Sequence, residues 1–300
     1  MHSVHIPEAN LNLYLPADLS ECDHEQYIDM CELIFRFHNQ EIDYQEFRTH
    51  AIYKLLNLKL SREQHDEEEK FSNIYQVSEL MDSFFEELDG KQTIKQYYIH
   101  NPVPSFAPAY SRYYGPSDSF MDMTFGEYRD ALRIFHDFHA TGDMHLLVLL
   151  TAIFYRRKKK FHYFKKQFAN YNGNIRDPYN SALLENHAKN FKYAPIGFIY
   201  GFYLLFASFQ KYLVDAKILW GGKEIDLSIL FQSDSGSDLE NIPGIGMDSI
   251  AFTMAESGAF GNIKEVDNTN FWQILIKMYD SRRNDLERQK QENNATNQQT

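Results

Sequence analysis

From residue 194 to residue 210 the chain runs for 17 residues without a formal charge. Such a segment belongs in a bilayer or in a protein interior, and the rest of the chain must be arranged around it. A membrane span needs about 20 apolar residues, and here Gly197, Gly201, Tyr200, Tyr203 and Ser208 dilute the stretch. The reading is therefore a fully buried core helix and no membrane span. At 300 residues the chain is long enough to enclose it. Its 43% hydrophobic and 24% charged residues exclude disordered, collagen-like and mucin-like classes. Two cysteines, Cys22 and Cys31, make no disulfide framework. The first 15 residues lack a basic segment followed by an apolar run, so a reducing, cytoplasmic setting is expected.

Charge is divided unevenly. Residues 1–100 hold 20 Asp/Glu against 8 Lys/Arg, while residues 101–300 hold 22 of each, so the net charge of −12 belongs to the first third. Within the neutral remainder, residues 156–192 carry ten Lys/Arg against only Asp177 and Glu185. That polarity suits an oppositely charged partner or self-association, or two solvated faces of one globule.

The periodicity predicts a mainly α, multi-helix globular protein with a small N-terminal β-hairpin and short β elements in a proline-rich segment. The hairpin pairs residues 4–6 with 11–15. Asp18 and Ser20 offer N-caps to a first helix carrying Tyr27, Met30, Cys31, Ile34 and Phe35. Further helices are expected over 44–58 and 68–88, the last stopped by Asp89 and Gly90. Residues 97–99 read as a strand, after which Pro102, Pro104 and Pro108 exclude a helix. Thr124 with Glu127 is a capping-box signature for the next helix, which Gly142 closes before another starts at Asp143. A helix over 180–192 and the buried helix follow, then a strand pair around 225–231 and helices over 247–257 and 269–289. The expected division is an acidic helical unit with the hairpin (1–100), a proline- and aromatic-rich connecting segment (101–123) and a helical unit with a basic loop (124–218). Beyond it come a linker (219–246), a C-terminal helical unit (247–290) and a disordered tail (291–300).

Three constellations carry candidate chemistry. His136, His139 and His145 place imidazoles near Asp137 and Asp143, but a metalloprotease helix wants a four-residue spacing and an intervening Glu, so metal ligation is the weak reading and ordinary histidines the stronger one. Arg156, Arg157, Lys158, Lys159, Lys160, Lys165 and Lys166, interleaved with Phe161, Tyr163 and Phe164, form an electrostatic dock for a protein or, alternatively, for nucleic acid. Tyr97, Tyr98, Phe106, Tyr110, Tyr113 and Tyr114 lie where no long helix hides them, and read as an interaction surface or as a loop folded over the core. A glycine-flanked serine elbow, a phosphate loop and a dinucleotide fingerprint are missing from the sequence, so the expectation is a non-enzymatic protein without a cofactor.

Several stretches together resemble a known family: Leu15-Pro16-Ala17-Asp18-Leu19 with Gln26-Tyr27, Tyr113-Tyr114-Gly115-Pro116-Ser117-Asp118, and Met123-Thr124-Phe125-Gly126-Glu127-Tyr128. Leu149 to Arg156, Ile175 to Asn180 and Ala255 to Ile263 extend the likeness over most of the chain. It is similar to a family of tail-region proteins, largely uncharacterised, that bacteriophages and prophages of Bacteroidota encode. The resemblance implies a role in virion assembly, as a tail assembly chaperone or adaptor on a tail protein such as the tape measure, or as a structural virion component. It transfers no catalytic residue. The chain is longer than compact tail chaperones and its basic run is heavier, which keeps the nucleic-acid alternative open.

Overall fold

The computed structural model describes residues 1–6, 10–58, 67–88, 90–108, 111–161, 173–230 and 246–297. Strands β1 (His2–Ile6) and β2 (Leu11–Leu15) form an antiparallel hairpin in which Val4 faces Leu13. Helices α1 (His24–His38), α2 (Tyr44–Leu55) and α3 (Glu67–Ser78) follow, then the hairpin β3 (Phe85–Leu88) and β4 (Lys91–Ile94). The two-residue strands β5 (Ser105–Phe106) and β6 (Tyr113–Tyr114) pair in the proline-rich segment. Helices α4 (Phe125–Thr141), α5 (Met144–Phe154), α6 (Leu184–Ala188) and α7 (Ile196–Asp215) come next. Hairpin β7 (Lys217–Trp220) with β8 (Lys223–Asp226), and helices α8 (Met247–Glu256), α9 (Ile263–Asn268) and α10 (Phe271–Asn297), complete the described residues. The protein is mainly α, with its strands confined to two-stranded sheets.

The uncharged segment becomes α7, the centre of the core. Phe198, Phe202, Leu205, Phe206 and Phe209 are all buried on it. No helix among the described residues is long and apolar enough to cross a membrane. Its glycines explain how α1 reaches it. A Cβ at Gly197 would collide with the Ile28 carbonyl oxygen, and one at Gly201 would sit 2.9 Å from Tyr27 Cε1. The missing side chains thus let two backbones cross closely. The Tyr27 hydroxyl then donates to the Gly201 carbonyl at 2.7 Å. The acidic first third therefore shares one continuous core with α5 and α7. Phe120 joins that core by packing on Phe154, Phe206 and Phe209.

Capping decides where helices start. Thr124 and Glu127 form the expected box, Gly142 closes α4 at φ +69°, and Asp143 caps α5. Asp18 caps only a single 3₁₀ turn; α1 is capped by Asp23 with Gln26. The expected helix over 68–88 ends at Ser78, and Phe85–Leu88 turn back on Lys91–Ile94 through Gly90 at φ +73°. Gly90 therefore sits in a hairpin turn and does not end a helix. Residues 97–99 are not a strand, because the Tyr98 backbone bonds to Ser208 of α7: Tyr98 N–H donates to Oγ, and Oγ donates to the Tyr98 carbonyl. The strand pair expected near 225–231 lies at 217–226, closed by Gly221 and Gly222. α10 runs on to Asn297, past the expected end at residue 289 and into the expected tail, since no Gly or Pro interrupts it. The rest of the expected linker, residues 231–245, lies outside the described residues.

Candidate functional site

Backbone pairing places most of the candidate residues on one irregular ribbon. Tyr114 N–H donates to the Arg156 carbonyl at 2.8 Å and Arg156 N–H returns to the Tyr114 carbonyl at 3.1 Å. On the other edge, Lys159 N–H donates to the Ile175 carbonyl and Asp177 N–H to the Arg157 carbonyl. The chain leaving α5 is thus sandwiched between β6 and residues 175–177. In extended chain, successive side chains point to opposite faces, and this alternation divides the basic run.

Arg156 points inward. It is fully buried, with Nε donating to the Asp177 carbonyl at 2.7 Å, Nη1 to the Ile153 carbonyl, and Nη2 paired with Glu127 Oε1. Arg176 is buried beside it. Its Nη1 donates to the Phe154 carbonyl at 2.9 Å, and its Nη2 lies 3.2 Å from Asp122 Oδ1 and 3.7 Å from Glu127 Oε1. Glu127 does two jobs, since its other oxygen accepts from Thr124 N–H in the α4 capping box. Burial pushes the Glu127 carboxyl up; the Arg156 and Arg176 guanidiniums outweigh that and hold it below the ordinary carboxylate range. Burial likewise lowers Arg156, opposed by Glu127. Two cations and two carboxylates so close form a buried lock across α4, the end of α5 and residues 174–177.

The lock continues into a strained turn. Ser119 and Phe120 adopt φ of +54° and +52°, which side chains rarely take. Two distant segments, 99–101 and 270–272, hold them there through four hydrogen bonds. Ser119 N–H donates to the Ile99 carbonyl at 2.6 Å, Asn101 N–H to Asp118 Oδ1, Trp272 Nε1 to the Ser119 carbonyl, and Asn270 Nδ2 to the Met121 carbonyl. Strain of this kind, of order 1–3 kcal/mol per residue, persists only where the surroundings over-determine it.

Other candidates separate. Tyr98 is 4% exposed and Tyr113 is 5% exposed, so neither belongs to an interaction surface. Tyr98 is tethered by Ser208, and Tyr113 packs on Phe191 with ring centroids 5.0 Å apart. Phe106 is stacked on Phe198 at 3.8 Å, and Tyr114 is half-buried on the ribbon. Among the five described members of this group Tyr97 alone is open, at 67% exposed; Tyr110 lies outside the described residues. Arg156 is no dock, for the reasons above. Arg157 and Lys160 are exposed, Lys158 and Lys159 are half-buried, and Lys165 and Lys166 lie outside the described residues. The three histidines do not converge. His145 sits on α5 beyond the Gly142 turn and reaches Glu185 at 3.2 Å, while His139 lies against Phe135 and Tyr203. Among the described residues no group of three or more His, Cys, Asp or Glu side chains is placed to hold a metal. A cleft of about 510 Å³ beside α4 contains His136, Arg129, Arg133 and Asp248. Its Arg129 is already engaged by Asp267 at 2.9 Å and Asp248 at 3.3 Å.

Comparisons with protein-family models, with curated proteins and with solved structures return no match.

Around Tyr97 the geometry favours contact rather than chemistry. Its hydroxyl donates to Glu86 at 2.8 Å, Lys211 Nζ lies 4.1 Å from the ring centroid, and Lys211 also reaches Glu86 at 3.1 Å. Leu88, two residues along the same face of β3, and Val214, one turn along α7 from Lys211, are both exposed. An aromatic ring is thus held in place by a cation and a carboxylate, with apolar side chains beside it. Sequence reading missed Glu127 and Arg176 as partners of Arg156. The available signal was a Glu at the third position of a helix in a strongly apolar neighbourhood.

Proposed function

We propose that this chain is a non-enzymatic assembly protein of a bacteriophage or prophage tail, a chaperone or adaptor that binds a tail protein such as the tape measure. The resemblance quoted above supplies the context. The observation that carries a binding role is the exposed Tyr97 ring held by the Glu86–Lys211 pair, with exposed Leu88 and Val214 on the same strand and helix as that pair. Rigid aromatic rings beside apolar side chains are favoured contact elements, because they bury large area at small rotamer cost. The locked interior supports the same reading: Arg156 and Arg176 are ion-paired with Glu127 and donate to backbone carbonyls.

The test is affinity capture of tagged protein from cells producing particles, followed by mass spectrometry, with wild type beside Tyr97→Ala. Purified particles are probed for the protein in parallel. Capture of a long helical tail protein by wild type, reduced at least fivefold for Tyr97→Ala and with the bait missing from particles, supports the chaperone. The bait in finished particles would replace it with a structural component. No tail protein in either eluate would overturn the reading.

A further inference from the structure

The outward side of the ribbon carries charge that the buried lock does not use. Arg157 is exposed there, Lys160 is exposed in the turn that ends the ribbon, and Arg112 beside β6 and Lys192 beyond α6 are exposed as well. The segments that carry Arg157 and Lys192 pack together. The Arg157 guanidinium lies 5.8 Å from the Tyr113 ring centroid, and Tyr113 packs on Phe191, the residue before Lys192. Asp177 and Glu185 are the only acids of residues 156–192, and Glu185 is engaged by His145.

Two aromatic side chains that follow these cations in the chain stand almost fully in solvent: Phe161, next to Lys160, is 77% exposed and Tyr193, next to Lys192, is 88% exposed, with Lys192 Nζ 5.5 Å from the Tyr193 centroid. Rings that open next to cations fit unpaired bases, whose faces stack on aromatics while the phosphates meet Lys and Arg. A duplex offers its phosphates but not its base faces. We propose that this face binds single-stranded nucleic acid, with Arg112, Arg157, Lys160 and Lys192 on phosphates and Phe161 and Tyr193 stacked on bases. The net charge of −12 does not oppose this, because the acidic excess belongs to residues 1–100. At physiological salt, exposed charges beyond about 8 Å are largely screened, so the local face decides. The inference does not depend on the tail-assembly reading.

The experiment is fluorescence anisotropy of a labelled oligothymidylate of about 20 nucleotides with the full-length protein, from about 50 to 300 mM salt. Expected is saturable binding whose logarithm falls linearly with log salt, with a slope corresponding to about four phosphates. The triple variant Arg157→Glu, Lys160→Glu, Lys192→Glu should weaken it at least tenfold. The pair Phe161→Ala, Tyr193→Ala should weaken it several-fold with the salt slope unchanged. Circular dichroism melts of each variant must match wild type, so that a loss is not unfolding. Failure to saturate at low salt would overturn the proposal, as would unchanged binding by the triple variant. Equal affinity for duplex, with no effect of the aromatic pair, would overturn it in favour of general polyanion attraction. Salt-sensitive self-association by light scattering, removed by the triple variant while oligothymidylate is ignored, would overturn it in favour of a second copy.

Discussion

Arg156 and Arg157 are neighbours in the chain and sit in opposite surroundings. Arg156 is enclosed, paired with Glu127 and bonded to two backbone carbonyls, whereas Arg157 lies at the surface over Tyr113 with one 3.4 Å contact to Ser111 Oγ. What separates them is the two-residue alternation of extended chain between β6 and residues 175–177. A run of like charges is therefore not one functional unit. One member, Arg156, serves the interior, where charges are held only in pairs, while Arg157 and Lys160 face solvent.

That contrast is breakable at its buried end first. Glu127→Gln keeps the capping box, because Gln also serves at that position, but removes the carboxylate facing Arg156 and Arg176. Leaving two buried cations short of a partner should cost about 3–5 kcal/mol in urea unfolding. A loss under about 1 kcal/mol would mean the lock is not electrostatic. Gly197→Ala probes the packing that surrounds the lock rather than its charge. The methyl has no room against the Ile28 backbone, so a loss of about 3 kcal/mol is expected from calorimetry, with α1 loosened from α7. An unchanged melting temperature would contradict the close crossing.

Acid sharpens the same comparison. The Glu127 carboxyl is depressed in the folded protein, so its contribution is fully present above the unfolded value near 4.5 and is lost as pH falls through the folded one. The stability gap between wild type and Glu127→Gln should thus be widest near neutral pH and shrink below about pH 4.5. A gap that grows with acid would reverse the assignment. The smallest effect is expected outside: Arg157→Glu, Lys160→Glu and Lys192→Glu together should change folding stability by less than about 1 kcal/mol, because exposed charges contribute little.

Legibility in the sequence followed the range of the interaction. Thr124 with Glu127, Gly142, the alternation in residues 11–15 and the charge gap over 194–210 are local patterns, and each forms the expected element. Phe85–Leu88 misled because two adjacent Phe fit a helical stripe as well as a strand, and only the partner β4 decides. Asp18 and Asp23 both cap, the first a 3₁₀ turn and the second α1, and local sequence does not say which turn continues as a helix. The lock was hidden for a different reason. Glu127, Arg156 and Arg176 are far apart in the chain, and in a sequence a buried arginine is indistinguishable from an exposed one. Of the two readings open for Tyr98, surface or loop folded over the core, the second holds, and its burial depends on the distant Ser208 of α7.

The most direct test compares the two neighbours. Arg156→Met and Arg157→Met are made separately, and each is unfolded in urea beside wild type at neutral pH. The account predicts a loss of about 3–5 kcal/mol for Arg156→Met, which strands Glu127, and a change within about 0.5 kcal/mol for Arg157→Met. Equal losses for the two variants would contradict the division of the basic run into a buried lock and an outward face.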